Sequence, residues 1–240
     1  NAIAGLTLND GNVASSKSLT VNMTENASTL ATVDLSNETN GAITYLAGAG
    51  GTALTMSASS MGDTITGASG NEAVTVAIAQ LTSADTINGV SGTDTLTFSD
   101  AGVLADADLS NVSNMDSITL GDGTNTIVLG AEYQEAGFTT ISTAGTGADT
   151  ITFGAGITSA QTVSIAATTG NDTITATSAS GAITIALEED ALTTGDTLTG
   201  GTGSDILDIT FNGTDLSSTD MSGVTKIEKI TSSGDNAAGL

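Results

Sequence analysis

The sequence predicts an all-β chain wound as a parallel β-solenoid, a β-helix or β-roll whose coils take about 22–24 residues. Three observations carry this expectation. A short phrase of an acidic residue, any residue, Ile or Leu, and Thr recurs from residue 63 onward. Its copies are separated by a nearly constant interval, as stacked repeats require and scattered strands do not. Proline is absent, and helical periodicity does not extend beyond one short turn near Ala131 to Ala136.

The first 60 residues stand apart. Candidate strands at Ser18-Leu19-Thr20-Val21, Thr32-Val33-Asp34-Leu35 and Ala42-Ile43-Thr44-Tyr45-Leu46 are bounded by turns such as Asn40-Gly41, but the phrase is missing. Residues 1–60 are therefore expected to form an atypical N-terminal cap or docking segment. Residues 61–240 are expected to be the repeat region, part of a longer array or assembly.

From Asp63 the phrase returns at Asp94, Asp116, Asp149, Asp172, Asp196 and Glu228, with near relatives at Asp85 and Asn125. Asp63 to Asp85 and Asp94 to Asp116 are steps of 22, Asp149 to Asp172 and Asp205 to Glu228 of 23, and Asn125 to Asp149 and Asp172 to Asp196 of 24. Steps of 9 separate Asp85 from Asp94, Asp116 from Asn125 and Asp196 from Asp205, and are expected to be nonapeptide turns inserted between coils. Within Thr64-Ile65-Thr66 and Thr173-Ile174-Thr175 the side-chain alternation of a strand puts Ile inward and Thr outward.

Residues 195–211, GDTLTGGTGSDILDITF, contain the pattern GGxGxDxUx, with Gly200, Gly201, Gly203 and Asp205 followed by the apolar Leu207. Glycines in such a turn accept positive φ and leave carbonyl oxygens uncrowded. The aspartate adds a charged oxygen, and a hard cation such as calcium takes about 6–8 oxygen ligands. Asp196 opens half of a preceding unit. Asp85, Gly89, Gly92 and Asp94 keep the pattern with Val90 at the second glycine; Gly145, Gly147 and Asp149 keep part of it, and Gly170 and Asp172 less. Glu72 replaces the aspartate in GASGNEAVT, and no site is assigned there. In register, Asn125, Asp149, Asp172 and Asp196 form one column at about 4.8 Å spacing. Carboxylates that close repel, which either draws ions between them or leaves a solvated polar ladder.

GGxGxDxUx is the repeat unit of RTX proteins. A longer repeat overlies it, because residues 85–119 align with 196–231 and match Asp108 with Asp220, Val112 with Val224, Met115 with Ile227 and Ile118 with Ile230. Together these resemble the β-strand repeats of bacterial S-layer proteins and large RTX adhesins, over about residues 60–240. The resemblance implies Ca2+ ions shared between each turn and its neighbour in the stack, export in the unfolded state and folding outside the cell. It also implies a place at the cell surface, with copies of the same chain as lattice or filament partners and cell-surface polysaccharide as the partner of an adhesin.

Composition narrows the function classes. The chain has 27 acidic residues against 3 basic, a formal net charge of -24 that favours counter-ions. Nucleic acid is not an expected partner, since Lys17, Lys226 and Lys229 are the only cations. No apolar run approaches the roughly 18–20 residues of a membrane span. With 38% hydrophobic and 12% charged residues the chain can fold, around a core of small aliphatics because aromatics are 2%. Histidine, arginine and cysteine are absent and the acids are explained by their period, so an enzyme such as a polysaccharide-active β-helix is not expected. The outward Thr pairs 64/66, 95/97, 150/152, 173/175 and 197/199 raise an ice-binding alternative within the adhesin class, which requires all five on one flat face.

Overall fold

The structure is a computed structural model and describes residues 5–9, 11–24, 31–56, 62–166, 170–211 and 216–234. It divides into two compact units, one formed by Asn1–Ser99, Ala107–Ile118 and Glu135–Phe138, the other by Asp100–Asp106, Thr119–Gln134 and Thr139–Leu240. Each is a parallel β-solenoid.

In the first unit one sheet runs Gly5–Asn9, Ala31–Asn37, Thr52–Thr55, Glu72–Val76, Thr95–Phe98 and Ser117–Thr119, each strand hydrogen-bonded to the next. Its second sheet runs Ser18–Asn22, Ala42–Leu46, Thr64–Thr66, Thr86–Asn88 and Val112–Ser113. The strands predicted within the first 60 residues are present and stack in parallel on later ones, with Asp34 opposite Thr55 and Thr44 opposite Thr64. In the second unit one sheet runs Thr140–Ser142, Gln161–Ile165, Ile183–Glu188, Ile206–Phe211 and Lys229–Gly234. Its companion runs Val103–Leu104, Thr126–Leu129, Thr150–Phe153, Thr173–Thr175, Thr197–Thr199 and Val224–Thr225.

Alternation sets the core. Because every second residue of a strand points inward and the pairing keeps register, like residues stack on like. Val33, Leu54, Val74 and Leu96 form one inward column, and Tyr45, Ile65, Ile87 and Val112 another. In the second unit Leu104, Ile127, Ile151, Ile174 and Leu198 stack in the same way, all with no solvent exposure. The threonines flanking Ile65, Ile151 and Ile174 remain partly exposed, as expected. The few aromatics sit inside, and in the second unit Tyr133 meets Phe153 edge to face at a centroid distance of 6.4 Å. The short helix occupies Ala131–Glu135, its start held by Asp106, whose carboxylate accepts the N–H groups of Gly130, Glu132 and Tyr133.

One feature of the expected architecture is corrected. The steps of 9 residues are not turns inserted between coils. Asp85 precedes Thr86–Asn88 on one sheet and Asp94 precedes Thr95–Phe98 on the other, and Asp196 and Asp205 are separated likewise. Each short step is the passage from one sheet to the other within a single coil. The long step is the full coil, as the pairing of Thr64 with Thr86 and of Thr173 with Thr197 requires.

Candidate functional site

A parallel strand entering from a corner has a first N–H that the sheet ladder does not satisfy, and a buried unpaired amide is costly. The repeated acid meets that need. Its side chain reaches back one coil and accepts the N–H of the residue that holds the same position there. In the first unit Ile43 N–H donates to Asp63 Oδ1 at 2.7 Å and Asp63 N–H to Asp85 Oδ1 at 2.9 Å. On the other sheet Glu72 N–H donates to Asp94 Oδ1 at 2.7 Å and Asp94 N–H to Asp116 Oδ2 at 2.6 Å.

The second unit repeats the device. Asn125 N–H donates to Asp149 Oδ1 at 2.9 Å, Asp149 N–H to Asp172 Oδ1 at 2.8 Å and Asp172 N–H to Asp196 Oδ1 at 2.7 Å. Ile183 N–H donates to Asp205 Oδ1 at 2.7 Å and Asp205 N–H to Glu228 Oε2 at 2.8 Å. The predicted column Asn125, Asp149, Asp172 and Asp196 therefore exists, and its members are buried rather than solvated. Asp85 and Asp94 lie on different sheets, as do Asp196 and Asp205. Amide-to-carboxylate bonds of this kind are short and strong because the acceptor is charged.

The glycines serve close approach more than backbone reversal. Positive φ was expected of the GGxGxD glycines, yet none of Gly200, Gly201 and Gly203 has it. A Cβ at Gly200 would strike Lys226 O and the Asp205 carboxylate, at Gly201 the carbonyls of Ala176 and Ala179, and at Gly203 that of Gly181. The absent side chain at Gly201 also lets its N–H reach Asp205 Oδ2 at 2.6 Å, so both oxygens of Asp205 accept backbone amides. Gly89 is held against Asp94 and Asn114 O, Gly147 against Gly123 O and Gly170 against Gly147 O. Only Gly92 (φ 135°) and Gly145 (φ 71°) of the predicted glycines turn left-handed. At the second glycine position of its own corner, Val90 takes φ 72° and is 44% exposed.

Burial without cationic partners pushes carboxyls upward. Asp63 is raised to about 6, by burial first and then by the charges of Asp85 and Glu38. Glu72 is raised to about 7 by burial and by the neighbouring Asp94, which is itself raised by burial. Burial raises Asp149 as well. Asp149 Oδ2 is buried with no hydrogen-bond partner, and the buried Glu72 and Asp94 carboxyls, which receive no N–H at Oε1 and Oδ2, hydrogen-bond to each other when one holds a proton. Glu72, Asp63, Asp116 and Glu228 belong to the columns although they were not assigned as site residues; the step of 22 from Glu72 to Asp94 was the available signal.

The Asp205 carboxylate faces two N–H groups, one on each oxygen, so a cation there would have to share those oxygens with the amides of Ile183 and Gly201. Among the described residues no three acidic side chains converge on one point.

The outward threonines do not share one face. Thr64/Thr66 and Thr95/Thr97 lie on different sheets of the first unit, whereas Thr150/Thr152, Thr173/Thr175 and Thr197/Thr199 stack in register on one sheet of the second. No described helix is long and apolar enough to cross a membrane. No family model, curated protein or solved structure matches the chain.

Proposed function

We propose that this chain is a structural segment of an extracellular surface layer, filament or adhesin, with copies of itself as its main partners. The observation that carries this reading is the acid column. The chemistry repeated along the sequence is spent on joining one coil to the next, which is what a stiff, extendable rod needs. Sheet edges among the described residues, such as Val103–Leu104 and Val112–Ser113 within the chain, have a hydrogen-bonded neighbour on one side only, and such an edge can pair with another strand. Electron microscopy of the purified chain over a concentration series tests this: ordered filaments or lattices are expected, and dispersed particles at every concentration would contradict it.

Calcium stands as a second proposal, motivated by the net charge of -24 and the GGxGxD corner. If an ion links coils, its binding energy adds to folding energy. Melting in excess calcium and in excess EGTA decides the matter: a marked fall on chelation supports the ion, and superimposable melts remove it. An ice-binding role draws only on the second unit's in-register Thr ladder, and thermal hysteresis tests it.

A further inference from the structure

On its sheet the column of acids begins at Asp63. One coil earlier its place is held by the apolar Ile43, since Thr44 pairs with Thr64. A carboxyl reaches that corner from the preceding turn instead. Glu38 is 1% exposed and accepts on Oε1 the N–H groups of Gly41 at 3.0 Å and Asn40 at 3.3 Å. Its Oε2 is buried and has no hydrogen-bond partner. Glu38 and Asp63 together line one small cavity, whose other lining residues are Leu35, Ile43, Met56 and Ile65. All six are buried. The cavity leaves about 10 Å3 for the centre of a guest, which is the space of one water.

We infer that this cavity is a binding site for one water, which donates one hydrogen to Glu38 Oε2 and the other to the Asp63 carboxylate and so links two successive coils. The site goes beyond the assembly reading and does not depend on it. Its walls choose the guest. Both polar groups are carboxyls whose other bonds come from backbone N–H, Asp63 Oδ1 taking that of Ile43 at 2.7 Å, so the guest has to be a donor. Burial first, and then the charges of Asp85 and Glu38, raise Asp63 to about 6, which leaves it an acceptor at pH 7.5. Leu35, Ile43, Met56 and Ile65 carry no side-chain oxygen. A calcium ion takes about 6–8 oxygens, and a cavity of one water's size has no room for the waters that would complete its shell. A buried water needs only about 2–4 polar partners, and fixing it costs less than leaving a carboxylate oxygen dry. A directly shared proton does not fit either. Glu38 Oε2 makes no bond to Asp63, whereas the Glu72 and Asp94 carboxyls are in hydrogen-bond contact.

A high-resolution crystal structure of the wild type at pH 7.5, with water-to-methyl NMR cross-relaxation in solution, tests the site. One density peak is expected within about 2.5–3.0 Å of both Glu38 Oε2 and an Asp63 oxygen. In solution, cross-peaks from a long-lived water to the methyl groups of Ile43 and Ile65 are expected, unchanged by EGTA. Glu38→Met, which removes one acceptor and fills the space, should abolish them; cross-peaks that persist in this variant overturn the assignment to Glu38. The wild-type measurements decide the matter whether or not that variant folds. A peak surrounded by about six or more oxygens, or cross-peaks lost in EGTA, makes the guest a cation. Carboxyls closed onto each other with no peak between them make it a shared proton. Either result overturns the inference, as does a cavity with neither peak nor cross-peaks.

Discussion

The corners at Asp205 and Asp94 have nearly the same sequence, GGTGSD and GVSGTD, and different outcomes. At Asp205 both carboxylate oxygens accept amides, one from the previous coil and one from Gly201. At Asp94 the bond to the previous coil survives, but Val90 has φ 72° and gives its N–H to Asn88 Oδ1, and Asp94 Oδ2 receives no amide. Glycine at that place does not decide this by itself, because Gly145, four residues before Asp149, takes φ 71° as Val90 does and Asp149 Oδ2 likewise accepts no amide. The backbone conformation there goes with whether the acid accepts two amides or one, and the Asp94 corner also lies beside a second buried carboxyl, Glu72.

The largest effect is expected at the Asp205 corner. Asp205→Ala orphans the amides of Ile183 and Gly201, at about 1–3 kcal/mol each, and urea unfolding should show the sum. Loss of less than the cost of one amide would break the comparison. Val90→Gly should act in the opposite sense, relieving a left-handed non-glycine by about 1 kcal/mol at a place where Gly145 of the Asp149 corner adopts the same φ. The same measurement showing destabilisation would mean that Val90 packs rather than strains.

The pH dependence sharpens the contrast further. Asp63, Glu72, Asp94 and Asp149 have folded pKa values above their unfolded ones, so the folded state binds more protons. Their contribution is fully present below about pH 4. It is lost as pH rises toward the folded values, about 6 for Asp63 and about 7 for Glu72. Thermal midpoints are therefore expected to fall between pH 4 and 7.5, and Glu72→Gln should flatten part of that slope. A midpoint rising over this range would contradict the assignment.

What the sequence made legible was periodicity. Ile65, Ile151 and Ile174 could be placed inward from alternation alone, and Asn125, Asp149, Asp172 and Asp196 in one column from their spacing, because a parallel coil repeats both physically. The direction of the acid was not legible. An aspartate at a corner serves an outward cation or an inward amide equally well until it is known which N–H the ladder leaves unpaired, and that depends on the neighbouring coil. The 9-residue step was ambiguous for a similar reason, since an inserted nonapeptide and the passage between two sheets of one coil have the same length. The strands before residue 60 lack the acid phrase yet join the stack, because Val33, Tyr45 and Leu54 keep the inward alternation.

The most direct test compares Asp94→Asn with Asp94→Ala by urea unfolding at pH 7.5. Asparagine keeps an oxygen for Glu72 N–H and removes a buried charge, as Asn125 already does where it accepts Gly102 N–H at 3.1 Å. The account predicts that Asp94→Asn is as stable as the wild type or more so, while Asp94→Ala loses about 1–3 kcal/mol. If asparagine is as damaging as alanine, the charge itself is what the corner needs, and the column is not an amide acceptor ladder.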